Sequence, residues 1–252
     1  MRQWSGGRRR WRRWRGWGLS LPPVMARIAL LGYGRMGRMI EAAALERGHE
    51  IVARFDAGDE ERVLPQGAQV AIDFSLPNVA EANCRRALAQ GIPVASGTTG
   101  WDVKPLRDEV AAGEGPAFLH ATNMSVGVNV VFAVNRLLAG ALAKRGYTGS
   151  LSETHHVHKL DAPSGTAITL AEGTAAGLGE EPPVESVREG EVIGLHTVDY
   201  VSAADTITLR HEAHDRTGFA LGAVLAAEYL IGRTGVHTMA DVLGLRHLAL
   251  TP

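Results

Sequence analysis

The chain has 252 residues, room for one large domain or two modest ones, and its 45% hydrophobic and 21% charged residues exclude a chain disordered throughout. The net charge of −1 hides an asymmetry: residues 1–24 hold seven arginines, no acid and four of the five tryptophans. The remaining 19 basic residues face 27 acidic ones, so a broad basic face is disfavoured and no nucleic-acid partner is expected.

Residues 1–24 show neither a helical nor a strand period, lack the apolar stretch of a secretory signal, and close at Pro22-Pro23. They read as a disordered Arg/Trp-rich extension, with three origins open: an arm for anionic surfaces, a targeting segment, or a mis-assigned start ahead of Met25. The last is favoured, because Met25-Ala-Arg-Ile leads directly into a strand. No function is built on this segment.

From Met25 onward, short apolar runs alternate with helix-like segments. Arg27–Leu31 reads as a buried strand, followed by a glycine-rich turn and a helix to about Arg47. Strands are expected at Glu50–Phe55, Gln69–Phe74, Pro93–Ala95 and Ala117–His120, with helices at Ala80–Gln90 and Lys104–Ala111 between them. This β-α-β rhythm predicts an α/β fold: a Rossmann-like, doubly wound parallel sheet. After Asn123 the rhythm changes. A helix over about Val126–Lys144 leads to a strand near Thr148–Thr154, a His-rich loop and a helix from about Thr166. Val192–Tyr200 and Thr206–Glu212 alternate around a turn at Ala203–Asp205, which predicts a smaller α+β domain with a mixed sheet. Helices at Phe219–Ile231 and Met239–Leu243 follow. Val126–Ala143 is the most apolar long stretch, but Asn129, Asn135 and Arg136 mark it as a buried helix, so no membrane span is expected. Cys84 is the only cysteine, which excludes an intrachain disulfide and fits a reducing compartment.

Gly32-Tyr33-Gly34-Arg35-Met36-Gly37 fits G-x-G-x-x-G. Such a pattern can be only a tight turn, but here it follows the first strand and opens a helix, and Asp56 ends the next strand at the distance where a carboxylate meets ribose hydroxyls. The helix terminus adds partial positive charge for a pyrophosphate. A nicotinamide dinucleotide is therefore expected as cofactor. Asp56 disfavours a 2′-phosphate and tilts the choice to NADH over NADPH, while Arg35, Arg38 and Arg54 offset part of that repulsion. Gly97, Thr98, Thr99 and Gly100 after the fourth strand, and Ala121, Thr122, Asn123 and Met124 after the fifth, outline the same crevice.

The densest polar segment runs from Glu153 through His155, His156, His158, Lys159, Asp161, Pro163, Ser164 and Gly165 to Thr166. It can be read as a solvated loop. It can also be read as a metal site, although adjacent histidines on a strand point to opposite faces, and no metal is expected. The third reading is a proton-transfer and anion-binding site. His155 can act near neutral pH, Lys159 brings a positive charge or a proton, and the helix opened by Ser164, Gly165 and Thr166 offers N–H groups to a carboxylate.

The run from His155 to Thr166, H-H-x-x-K-x-D-A-P-S-G-T, resembles the signature of the dihydrodipicolinate reductase (4-hydroxy-tetrahydrodipicolinate reductase) family. It is accompanied in the family's order by Gly32–Gly37, Asp73-Phe74-Ser75, Gly97–Gly100, Asn123–Asn129 and the segment from Arg216 to Ala223. The resemblance implies NAD(P)H-dependent reduction of a small cyclic dicarboxylate in diaminopimelate and lysine biosynthesis. It implies His155 as proton donor/acceptor and Lys159 as proton donor, with His156, Ser164, Gly165 and Thr166 on the substrate. Gly32, Tyr33, Gly34, Arg35, Met36, Gly37, Asp56, Gly97, Thr98, Thr99, Ala121, Thr122, Asn123 and Met124 would hold the cofactor. It further implies a cytoplasmic homotetramer, a dinucleotide domain of residues 25–122 and 213–252, and a substrate and oligomerisation domain of residues 123–212. Ala57 follows Asp56 where some members carry an arginine, which weakens NADP preference. A redox-sensing NAD(P)-binding protein without turnover is the alternative.

Overall fold

The computed structural model describes residues 25–56, 58–59 and 63–248; the segment 1–24, Ala57, and residues 60–62 and 249–252 lie outside them. The first sheet holds six strands in the order β10-β5-β4-β3-β1-β2, every pair parallel. They are β1 Arg27–Leu31, β2 Glu50–Phe55, β3 Val70–Asp73, β4 Val94–Ser96, β5 Phe118–His120 and β10 Val236–His237. The short apolar runs at β1 and β3 are buried on both faces, as a central parallel strand requires. Their period of two is visible in the packing: Ile28 and Leu30 join one core with helices α1 (Arg35–Glu46) and α6 (Thr217–Leu230), while Ala29 and Leu31 join the opposite core with α2 (Pro77–Ala89) and α3 (Lys104–Ala112).

Strand order reverses between β1 and β3, so a crevice opens at the carboxyl edge above them. The sequence expectation for this half holds except at its edges. Helix α2 starts at Pro77 rather than Ala80, because proline suits the first helical turn. The two-residue strand β10 is too short to carry a pattern; it extends the sheet beside β5.

The second sheet has the order β7-β6-β8-β9, comprising β6 Thr148–His155, β7 Val184–Arg188, β8 Gly194–Val201 and β9 Thr206–Ala213. β6–β8 and β8–β9 are antiparallel and β6–β7 is parallel, so the sheet is mixed, as expected. β7 was not expected from sequence, since only five residues form it and neither of its faces is fully buried. One face of this sheet is covered by α4 (Val126–Leu142) and α5 (Gly165–Leu178). The buried polar residue inside α4 is satisfied there. Asn135, fully buried, donates to Leu170 O at 2.9 Å and accepts from the Tyr200 hydroxyl at 2.7 Å. Among the described residues, no helix is long and apolar enough to cross a membrane.

Candidate active site

The glycine loop sits where the first strand meets the first helix. Gly32 adopts φ +96°, and a Cβ there would fall 2.3 Å from Phe74 O; a Cβ at Gly37 would fall 2.3 Å from Gly32 O. Both positions therefore exclude any side chain. Gly34 differs: nothing lies within 4 Å of where its Cβ would stand. The room above Gly34 adjoins the uncapped first turn of α1, which points N–H groups outward. A pyrophosphate fits that cradle in size and sign. Gly32 N–H donates to Phe55 O at 2.9 Å, which holds the end of β2, and so Asp56, beside the loop. Tyr33 donates through its hydroxyl to Glu41, and its ring lies 5.8 Å from the Arg38 guanidinium and 5.7 Å from that of Arg54. Arg54 also pairs with Glu41, so its charge is partly neutralised where it could have offset Asp56.

The second glycine loop, after β4, rests on a buried carboxylate. Asp73, fully buried at the end of β3, accepts from Ser75 Oγ at 2.6 Å, Ser96 Oγ at 2.7 Å and Thr98 Oγ1 at 2.8 Å. Burial raises its pKa against the pull of those hydroxyls. Thr98 is thereby fixed, while Thr99 faces solvent. After β5, Ala121, Thr122 and Asn123 reach the crevice, but Met124 turns its side chain into the core at 2% exposure.

The two halves of the molecule meet at the start of α5. Asn123 Nδ2 donates to Thr166 Oγ1 at 3.0 Å, Thr122 Oγ1 lies 3.2 Å from Thr169 Oγ1, and a Cβ on Gly165 would lie 3.3 Å from Thr122. Ser164 caps α5 by accepting from Ala167 N–H at 3.2 Å. The N–H groups of Gly165 and Thr166 belong to the first turn of α5, which lies beside Thr122 and Asn123.

The two adjacent imidazoles diverge where β6 ends at His155 and the loop begins at His156. His155 points inward at 6% exposure. His156 lies 3.4 Å from Arg216 Nη2, at the junction with α6, and burial together with the Arg216 charge lowers its pKa. His158 is exposed and pairs with Glu191 at 3.6 Å. Lys159 Nζ is engaged by Asp161 at 2.7 and 2.9 Å.

Beneath this loop lies a buried polar cluster that sequence reasoning left without a role. Glu153 accepts from Ser164 N–H at 2.9 Å, Ser164 Oγ, Ser186 Oγ at 2.8 Å and Arg188 Nη2 at 3.2 Å. His155 Nδ1 stands 3.3 Å and His196 Nε2 3.7 Å from the same carboxylate. Burial works to raise the Glu153 pKa, but the hydrogen bonds from His155, Ser164 and Ser186 hold it well below the usual carboxylate range. His196 is pushed down to about 4 by burial and the neighbouring His155. Ligand atoms of Glu153, His155 and His196 lie within 4.8 Å of one another, the one such grouping among the described residues. The Glu153 carboxylate is met by four protein donors, whereas His155 Nδ1 and His196 Nδ1 are buried without a hydrogen-bond partner. Only the register of β6 with β7 and β8 brings Ser186, Arg188 and His196 to Glu153.

A doubly wound parallel sheet with a glycine loop at its crevice, joined to a second lobe built on a mixed sheet, is the architecture of the two-lobed nicotinamide-dependent oxidoreductases, the class to which this molecule belongs. A family model for the N-terminus of dihydrodipicolinate reductase matches residues 26–124, and one for its C-terminus matches residues 127–243. The 4-hydroxy-tetrahydrodipicolinate reductase of Christiangramia forsetii is 46% identical over 231 residues, covering 86% of this chain and 97% of that protein. That of Alkaliphilus metalliredigens is 36% identical, covering 84% and 96%. A dipicolinate-bound dihydrodipicolinate reductase from a Paenisporosarcina species shares the fold, with a TM-score of 0.69 at 19% identity over 86% of this chain and 99% of that one. The chain belongs to the dihydrodipicolinate reductase family.

Proposed function

We propose that this chain reduces 4-hydroxy-tetrahydrodipicolinate (dihydrodipicolinate) to tetrahydrodipicolinate, in diaminopimelate and lysine biosynthesis, with NADH used at least as well as NADPH. The observation that carries the reading is the α5 N-terminus, seated on Thr122 and Asn123 of the cofactor crevice. A doubly charged heterocycle bound there lies between the two lobes.

The open N–H groups of Gly165 and Thr166 receive one substrate carboxylate, with the α5 terminus supplying partial positive charge. His156, held beside Arg216, meets the other. The cradle at Gly34, the N-terminus of α1, Asp56 and the Thr98 loop hold the cofactor, which supplies the hydride when bound. Lys159 exchanges Asp161 for the substrate and gives the proton that completes the reduction, and His155 serves the same site as proton donor and acceptor. Positive charge at these positions stabilises the negative charge that develops on the ring. The tilt to NADH rests on Asp56 beside Gly32 and on the partnering of Arg54 by Glu41.

The same reading divides the chain into a dinucleotide lobe of residues 25–122 and 213–252 and a substrate lobe of residues 123–212. Its support is the return of α6 against α1 and of β10 to β5. It also includes a cytoplasmic homotetramer assembled through the face of the second sheet that α4 and α5 leave uncovered. Oxidation of NADH in the presence of the freshly formed condensation product of pyruvate and aspartate semialdehyde tests the activity. A rate equal to the substrate-free background, with NADH still bound, would instead assign a sensor without turnover. Dipicolinate should inhibit competitively with the substrate.

A further inference from the structure

The proposed reduction draws on three groups: the imidazole of His155, the ammonium of Lys159 and the N-terminus of α5. One ion pair, a buried carboxylate with a partly buried guanidinium, touches the framework of all three. Glu153 is 1% exposed, and the Arg188 side chain is 19% exposed. Glu153 receives both the N–H and the hydroxyl of Ser164, which set where α5 begins, and faces His155 Nδ1 at 3.3 Å. A carboxylate at that nitrogen favours the tautomer with its proton on Nδ1. Arg188, which donates to Glu153 at 3.2 Å, also donates through Nε to Lys159 O at 3.3 Å and through Nη2 to Asp161 O. It thereby ties down the backbone on both sides of Leu160, a residue 97% exposed at the tip of the loop. The loop backbone is held while the Lys159 side chain, bound among the described residues to Asp161, stays able to change partner.

Stability alone is a poor reason for this pair. Taking the Glu153 carboxylate out of water is costly, and apolar replacements of buried ion pairs are often neutral or stabilising. Its reach suits it instead to keeping proton donor and anion site in one geometry, since a displacement of about 1 Å can cost roughly 10²-fold in rate.

We propose that Glu153 and Arg188 are positioning residues for the reduction, Arg188 acting through Lys159 and Glu153 through His155 and the α5 terminus, without touching the substrate. The proposal rests on the functional reading above. It is tested with the full-length chain as a double-mutant cycle. Arg188→Met should lower kcat about 10–100-fold, the scale of such a misplacement, with NADH affinity unchanged. In the Lys159→Met background, Arg188→Met should lower kcat less than about threefold, because the group it positions is already gone. Glu153→Gln, nearly isosteric and able to keep part of the network, should raise the KM for substrate and weaken dipicolinate binding as well as lower kcat, since it also anchors Ser164. Losses from Arg188 and Lys159 that multiply, or variants that lose thermal stability while keeping wild-type kcat and KM, would overturn the proposal. An inactive wild-type chain, or a fully active Lys159→Met variant, would instead fail the functional reading.

Discussion

Gly34→Ala separates folding from cofactor binding more cleanly than any other change in the glycine loop. Its backbone lies at φ −75° and ψ −151°, an extended conformation open to any residue, and nothing stands within 4 Å of the new methyl. An alanine there reduces the freedom of the unfolded chain and should stabilise the protein by about 0.4–1 kcal/mol, or about 1–4 °C in Tm. The same methyl fills the space through which the backbone meets a pyrophosphate. Each charge-assisted hydrogen bond lost is worth about 1.5–3 kcal/mol, so NADH affinity should fall at least about tenfold per bond. The assay is a thermal melt beside a fluorescence titration with NADH, with Gly37→Ala as the contrast. There the methyl meets Gly32 O at 2.3 Å, and both stability and affinity should fall. A Gly34→Ala protein that binds NADH within about twofold of wild type would refute the assignment of this loop to the pyrophosphate, given the per-bond cost above.

Lys159→Met should cut kcat by about 10²–10⁴, the range for a lost general acid, with NADH affinity intact, and near-normal turnover would count against its role. kcat/KM measured with both cofactors should favour NADH or be equal; a large NADPH advantage would contradict the reading of Asp56 and of the Glu41–Arg54 pair. His196 has a pKa of about 4 in the folded chain against 6.5 ordinarily, so on acidification the unfolded state takes the proton first and stability falls as pH drops from about 6.5 to about 4. At pH 5 this amounts to about 2 kcal/mol, which His196→Gln should remove from the difference between urea unfolding at about pH 7.5 and about pH 5; equal pH losses in both proteins would argue against a buried neutral imidazole. Cys84, fully buried and with its thiol pKa pushed well up by burial, should react with thiol reagents only as the chain unfolds, which stopped reactions in and out of denaturant will show.

Where the chemistry was local, the sequence was sufficient. The parallel sheet was legible because β1 and β3 are continuous apolar runs, and the glycine loop because its neighbours in sequence are its neighbours in space. Alternation along a strand was the sequence argument that His155 and His156 diverge, and they do, but because β6 ends between them, while the α5 terminus followed from Ser164-Gly165-Thr166. Tertiary structure decided what depends on pairing across many residues. β7 is short and half-exposed, so no hydrophobic pattern announces it, yet it delivers Ser186 and Arg188 to Glu153. β10 has only two residues. His196 reaches the site through its register opposite Glu153, and Arg216 reaches His156 from 60 residues away. Met124 shows the converse, a residue inside a functional motif whose side chain belongs to the core. A buried charge needs donors from wherever the fold can bring them, and those partners are set by strand register and lobe contact, neither of which is written in any single stretch of chain.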